Sequence, residues 1–183
     1  MTGPQPLILR DHDPEWSACF AREAAAVRAA LGDLVITIEH IGSTSVPGLV
    51  AKPVIDLLVG VQCVPLPAPA IAAMVDLGFD SHGEYGIPDR SYFSRVDVHA
   101  HCFEIGKGQW DSHLLFRDYL RSVPAAREAY AAAKYELYHA GGGDREYYLA
   151  NKEFVVDAML EDARQWNAAG RASTSAASRS EQG

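Results

Sequence analysis

The pattern of apolar and polar positions divides the chain into a first half that contains strands and a second half that is helical. Runs of β-branched and apolar residues predict strands over 35–41, 54–59, 91–95 and 98–105. The run at 54–59 is nearly all apolar, which is typical of a strand covered on both faces. The single carboxylate within it, Asp56, therefore requires a specific partner.

Helical spacing of apolar residues accounts for the remaining elements. Asp13-Pro14 predicts the start of a first helix and Gly32 its end, and a proline-rich turn at 65–69 precedes a short second helix. From Trp110 onward, three helical segments are separated at Pro124 and at 141–143. We therefore predict an α+β fold in which the strands form the floor of a site.

Length and composition limit the domain organisation. A chain of 183 residues with 48% hydrophobic residues is long enough to bury one compact core. The segment after Trp166 has almost no large apolar side chains and cannot recover the entropy lost on ordering. We predict one domain over 1–166 and a disordered tail over 167–183.

Charge and targeting signals limit the partners. The formal net charge of −8 disfavours broad binding to nucleic acid or to an anionic membrane, because each needs a basic face. The N-terminus lacks the pattern of a signal peptide, and no apolar run is long enough to span a membrane. Three widely spaced cysteines fit a reducing compartment. We predict a cytoplasmic protein whose ligand is small.

The first candidate for chemistry is a turn that follows the strand at 35–41. Gly42, Ser43, Thr44 and Ser45 can present backbone amides and hydroxyl groups to a phosphate, as glycine-rich turns do. Turns of glycine and serine also cap helices for purely structural reasons. Both interpretations stay open for this turn.

Asp56 is the second candidate. A carboxylate inside an apolar strand is costly to bury unless it binds a metal, a cation or hydrogen-bond donors. Lys52, four residues earlier, is the structural alternative as an ion-pair partner, although a lysine near a phosphate turn also suits an anionic substrate.

His99 and His101 form the third candidate. On a strand these two imidazoles project from one face, where they could supply part of a metal site or an acid/base pair. Glu104 is expected on the opposite face. Among the scattered basic residues we select Arg90 for substrate binding, because it follows a glycine-rich loop that could form the rim of a cleft.

Two segments resemble a known family. The sequence HIGSTSVPGLVAKPVIDLLVGV at 40–61 is similar to the signature of the GrpB family, and HLLFRDYLRSVPAAREAYAAAKYEL at 113–137 is similar to the helical region of that family. The resemblance covers about residues 8–165. It implies a nucleotidyltransferase-like fold, with a small mixed β-sheet flanked by helices and a cleft over the first strands.

The resemblance also implies roles for individual residues. Gly42 and Ser43 match the turn that holds the triphosphate, and Asp56 matches the first metal-binding carboxylate. A second acidic residue is expected two positions later, where this chain has Leu58. His99 and His101 could replace it, although imidazoles favour zinc-like ions over Mg²⁺.

Two functions follow from these observations. In the first, the protein is an enzyme that binds a nucleotide and a divalent metal and transfers a nucleotidyl or related group to a small acceptor. Asp56, His99 and His101 would then be the metal-binding and catalytic residues, and the phosphate turn, Lys52 and Arg90 would bind the substrate. In the second, the protein is a non-catalytic module of the same fold, like related domains that are appended to dephospho-coenzyme A kinases.

Overall fold

The computed structural model describes the backbone of residues 7–180 and the side chains of residues 7–170. Residue contacts divide the chain into two compact units, Ile8–Arg117 and the part from Asp118 onward together with Leu7. Compact units of this kind are not by themselves independent domains. The single domain over 1–166 therefore stays a prediction.

The first unit contains the five strands of the described part of the chain. Its elements in chain order are α1 (Glu15–Leu31), β1 (Val35–Ile41), β2 (Ile55–Val61), α2 (Ala68–Asp76), β3 (Asp80–Ser81), β4 (Ser91–Arg95), β5 (Val98–Glu104) and the first part of α3 (Trp110–Ser122). The predicted strands and helices are confirmed to within about two residues. The two-residue β3 lies where the sequence predicts only irregular loop, because a strand this short has no detectable periodicity.

The sheet is mixed, as the family resemblance implies. Its strand order is β1-β2-β5-β4-β3, with β2 and β5 parallel and the other neighbours antiparallel. In the parallel pair Asp56 lies opposite His99, and Leu58 lies opposite His101. The register therefore places the carboxylate and both imidazoles on one face of the sheet.

The opposite face of the sheet carries the larger apolar core. Leu57 and Val59 of β2 and Ala100 and Cys102 of β5 are buried there against α1 and α2. This core fixes the direction of every side chain on β2 and β5, because successive residues on a strand alternate between the faces. Asp56, His99 and His101 are thereby held on the other face.

A smaller apolar cluster lies on the face that carries the polar side chains. It consists of Ile41, Leu58, Phe103 and Trp110, with Ile87 and Leu114 packed against it. Trp110 and Leu114 belong to α3, which therefore covers part of this face. Apolar side chains therefore lie next to Asp56, His99 and His101 on this face of the sheet.

The second unit is helical. It contains the end of α3, α4 (Pro124–Ala140) and α5 (Arg145–Ser180). Pro124 begins α4, where its missing N–H removes no helical hydrogen bond. The glycine turn at 141–143 separates α4 from α5, and the carbonyl of Gly143 accepts a hydrogen bond of 3.1 Å from the amide of Leu7. The prediction of a helical C-terminal half is confirmed.

The C-terminal segment stays a prediction as well. The backbone of α5 continues as helix through Ser180, and residues 181–183 of the predicted tail lie outside the described part of the chain. Among the helices of the described residues, none combines the length and the apolar content needed to cross a membrane.

Candidate functional site

Asp56 and the two histidines of β5 form one cluster. Oδ1 of Asp56 lies 3.2 Å from Nδ1 of His99 and 3.6 Å from Nε2 of His101. The convergence follows from the parallel pairing of β2 with β5, which sets the three side chains side by side. The structure thus brings together the three residues for which the sequence predicts metal binding and catalysis.

This cluster is within reach of a ligand. The side chains of Asp56, His99 and His101 are 26%, 25% and 13% exposed. Burial acts to raise the pKa of Asp56, but hydrogen bonds from His101 and His99 and their electrostatic attraction outweigh it and hold that pKa well below its usual range. Burial lowers the pKa of His101, against the opposing effect of Asp56. The site therefore contains a carboxylate anion beside a neutral His101.

Gly42 borders the cluster directly. It has a φ of +69°, and a Cβ atom placed on it would overlap Oδ2 of Asp56. The position thus needs glycine both for the backbone conformation and for the close approach. The predicted phosphate turn therefore begins in contact with the predicted metal-binding carboxylate.

The hydroxyl groups of this turn differ in their roles. Thr44 is buried, and its hydroxyl donates to the carbonyl of Val54 at 3.1 Å while Nε2 of His40 lies 3.1 Å away. The hydroxyl of Ser45 donates to the carbonyl of Gly42 at 2.7 Å. These contacts hold the turn in shape. Substrate binding by Gly42, Ser43, Thr44 and Ser45 stays a prediction, with Thr44 and Ser45 placed to support the turn.

Arg90 lies inside the site rather than on an exposed rim. It is 5% exposed, and its guanidinium group donates to the carbonyls of Glu84 and Tyr85 at 3.1 and 2.9 Å. Its remaining terminal nitrogen lies 3.3 Å from Nδ1 of His101. The group also stacks over the ring of Tyr92, with 4.6 Å between Cζ and the ring centroid. Arg90 thus contacts the histidine on the side away from Asp56.

Two aromatic residues of the site were missed by sequence reasoning. The ring of Tyr92 packs against His99 and His101, with centroids 5.7 and 5.1 Å apart. The short connection between β4 and β5 could have revealed it, because a hairpin sets Tyr92 opposite His101. His113 of α3 lies 5.3 Å from His101 by ring centroids. No local pattern distinguishes His113 from an ordinary helical residue.

His113 is held as a neutral imidazole. Its Nε2 atom is buried and has no hydrogen-bond partner among the described residues. Burial lowers the pKa of His113 to about 3, and the neighbouring His101 acts in the same direction. The His113 ring therefore lines the site next to His101 without adding a charge.

Leu58, which stands where the family resemblance leads one to expect a second carboxylate, belongs to the smaller apolar cluster. Leu58 is 0% exposed and packs with Ile41, Phe103 and Trp110. The described polar partners of Asp56 are the two imidazoles, and Lys52 is not among them. Lys52 itself is half-buried and takes part in an interaction of its own. The alternative in which Lys52 is the ion-pair partner of Asp56 therefore stays a prediction.

The spacing of the cluster fits a metal ion. Around a tetrahedral ion with bonds of about 2.0–2.2 Å, neighbouring ligand atoms lie about 3.3–3.6 Å apart. The distances of 3.2 and 3.6 Å from Asp56 to the two imidazoles are close to these values. One ligand atom from each of the three residues lies within 4.8 Å of the others. Asp56, His99 and His101 are therefore the residues that could hold a divalent ion.

Comparisons with known proteins agree with the family resemblance. The sequence model described as GrpB protein matches residues 6–162. The chain is 33% identical to the UPF0157 protein YqkA of Bacillus subtilis over 85% of its length, but spans only 46% of that relative. It is also 33% identical to a UPF0157 protein of Streptomyces coelicolor, with 88% of this chain and 87% of the relative covered.

A solved structure has the same fold. The crystal structure of the conserved protein GrpB from Enterococcus faecalis superimposes with a TM-score of 0.79 at 30% sequence identity. The similarity covers 87% of this chain and 99% of that one. The arrangement of strands and helices described above is thus shared with a protein of known structure.

Proposed function

The chain belongs to the GrpB family, and from the geometry of its site we propose that it binds a nucleotide with a divalent metal ion and transfers a nucleotidyl or related group to a small acceptor. The observation that carries this proposal is the contact of Asp56 with two imidazoles directly beside the Gly42 turn. A carboxylate next to a phosphate-binding turn is the arrangement that a metal-bound phosphate requires.

Partial exposure of the cluster supports a functional role over a purely structural one. A buried ion pair that serves only stability is normally closed to solvent, whereas about a quarter of the side chains of Asp56 and His99 is exposed. The low pKa of Asp56 keeps it anionic over the physiological range, so that it is always available to a cation. A cation held by Asp56 would neutralise part of the charge of a bound phosphate group.

Each residue of the site would have its own role in such a reaction. Gly42 and Ser43 hold phosphate oxygens, Asp56 binds the ion, and Lys52 offers positive charge to the substrate. His99 or His101 completes the ligands of the ion or accepts the proton of the acceptor hydroxyl group. The metal, when bound, supplies electrostatic stabilisation of the transferred phosphate.

Calorimetric titration tests the proposal. Mn²⁺, and then adenosine triphosphate in the presence of Mn²⁺, are titrated into the wild type, Asp56→Asn and Asp76→Asn. Asp76 is an exposed residue at the end of α2, so its substitution removes the same charge without touching the site. We expect Asp56→Asn to lose at least about tenfold in Mn²⁺ affinity, the lower end of what loss of a metal-supporting group costs. Undetectable binding by all three proteins would contradict the proposal.

A second candidate function is a non-catalytic ligand-binding or accessory module of the same fold. The apolar setting of Leu58 favours it, because a two-metal transfer reaction needs more carboxylate ligands than Asp56 alone supplies. Release of pyrophosphate from a bound nucleoside triphosphate separates the two candidates. Nucleotide binding with no release in the presence of varied hydroxyl acceptors would favour the module.

We also propose that the ligand is small and that the protein acts in the cytoplasm. A net charge of −8 fits a small ligand rather than extended nucleic acid, and a reducing cytoplasm fits three cysteines that are free in the structure. The cytoplasm also supplies nucleoside triphosphates. Fractionation of cells that express the tagged full chain would test the location.

A further inference from the structure

The contact between Arg90 and His101 restricts the chemistry of that histidine. An arginine side chain has only N–H donors and no acceptor. Its NH1 group lies 3.3 Å from Nδ1 of His101, so that Nδ1 must present its lone pair. The proton of the neutral ring then resides on Nε2, the atom that faces Asp56.

Arg90 is fixed in this orientation. Two backbone carbonyls, those of Glu84 and Tyr85, accept from its other nitrogens, and the plane of the guanidinium group stacks on Tyr92. The residue is 5% exposed, so water offers little competition for these contacts.

A proton on Nε2 prevents ordinary metal binding by His101. A metal-binding imidazole uses the lone pair of one nitrogen and normally donates the N–H of the other to an acceptor. In this site the second partner is a donor, which is the reverse of that arrangement. His101 is thereby directed to donate its Nε2–H to Asp56, or to an oxygen of a bound phosphate, instead of binding the ion.

We propose that Arg90 is a positioning residue that holds His101 in the Nε2–H tautomer and so lowers the affinity of the site for nitrogen-preferring ions such as Zn²⁺. This inference rests on the proposed metal site. With His101 withdrawn, Asp56 and His99 would be the protein ligands of an ion, and phosphate and water would supply the remaining ligands. Mg²⁺ and Mn²⁺ accept such an oxygen-rich set, whereas Zn²⁺ favours additional nitrogen ligands.

The tautomer can be measured directly. Long-range proton–nitrogen spectra of the uniformly ¹⁵N-labelled protein, recorded at neutral pH without metal or nucleotide, report which ring nitrogen carries the proton. We expect the proton of His101 on Nε2 in the wild type and in Arg90→Lys, because lysine is also a donor without an acceptor. In Arg90→Gln the amide oxygen can accept, and we expect the proton to move to Nδ1. A wild-type His101 protonated on Nδ1 would overturn the inference.

Metal affinity provides the second measurement. Zn²⁺ alone and Mn²⁺ alone are titrated into the wild type, Arg90→Gln, Arg90→Lys and Arg95→Gln. We expect Zn²⁺ affinity to rise about 10-fold to 100-fold in Arg90→Gln only, the range associated with partners of metal-binding histidines. Arg95 serves as the control, because it is an arginine at the far end of β4, the strand that follows Arg90, but it donates to the carbonyl of Leu77 and pairs with Glu23.

The increase in Zn²⁺ affinity of Arg90→Gln must depend on His101. The double variant Arg90→Gln/His101→Gln is expected to lose the increase in Zn²⁺ affinity, which a general loosening of the loop at 84–90 would retain. Equal Zn²⁺ affinity in the wild type and Arg90→Gln would overturn the inference. Neither measurement uses a nucleotide. Both can therefore be interpreted even if the protein is found not to catalyse nucleotidyl transfer.

Discussion

Gly42 lies so close to Asp56 that no side chain fits between them. A Cβ atom on Gly42 would overlap Oδ2 of the carboxylate, although Gly42 follows the end of β1 and Asp56 lies on β2. The antiparallel pairing of these strands makes the predicted phosphate turn and the carboxylate parts of one structure. Any change at Gly42 must therefore displace Asp56.

Substitution at Gly42 tests this relationship. Gly42→Ala is expected to move the carboxylate and to reduce Mn²⁺ affinity at least about tenfold, as does the loss of a group that supports a metal ligand. Gly48→Ala is the matched control, because Gly48 also has a positive φ, of +78°, but has no atom within 4 Å of an added Cβ. Both variants should lose about 1–2 kcal/mol of unfolding free energy from the left-handed backbone. Equal Mn²⁺ binding by the two variants would refute the structural relationship.

The apolar position of Leu58 leads to a second prediction. Leu58→Asp restores the carboxylate that the family resemblance leads one to expect, but it places the charge in a cluster with Ile41, Phe103 and Trp110. We expect a loss of about 3 kcal/mol or more in the free energy of unfolding, measured by urea denaturation. Ile36→Asp, on an exposed position of β1, should cost much less. A stable Leu58→Asp variant with improved metal binding would show that the site accepts a second acid.

Thr44 is predicted to stabilise the turn through its hydroxyl group. That group donates to the carbonyl of Val54 and contacts Nε2 of His40, and all three are buried or half-buried. Thr44→Val keeps the shape but removes both of these contacts from a buried setting, which costs about 1–3 kcal/mol in unfolding free energy. Thr44→Ser retains the hydroxyl and should be closer to the wild type. Identical stability losses in the two variants would contradict this prediction, because the hydroxyl group would then contribute no more than the methyl group.

His113 should make stability depend on pH. Its pKa in the folded protein is about 3, against an ordinary value of 6.5, so between these values the unfolded chain binds a proton that the folded chain does not. The neutral His113 therefore contributes to the free energy of unfolding above about pH 6.5. This contribution is lost as the pH falls, by at most about 1.4 kcal/mol for each pH unit. Comparison of the wild type with His113→Phe by thermal or urea unfolding between pH 7 and 4.5 should show a flatter dependence in the variant.

The control for this pH experiment is a histidine in an exposed position. His139→Phe, near the end of α4, removes a solvent-exposed imidazole. This variant should keep the pH dependence of the wild type. A His113→Phe variant with the same slope as the wild type would show that the buried imidazole does not titrate as its surroundings indicate.

The sequence by itself determined the elements and their faces. The apolar strand around Asp56, the alternation at 98–105 and the breaks at Pro124 and 141–143 are local signals, and each depends on a few neighbouring residues. The placement of His99 and His101 on one face follows from the same alternation. The family resemblance added the mixed sheet, which the strand pairing confirms.

Only the tertiary structure decided which of these residues meet and how they are hydrogen-bonded. The parallel pairing of β2 with β5 brings Asp56 to His99 across 43 positions of sequence, and the packing of α3 adds His113. The contact of Arg90 with Nδ1 of His101 depends on the path of the loop at 84–90, which has no periodic pattern. Distances and donor directions of this kind arise from packing between elements, and no local run of residues encodes them.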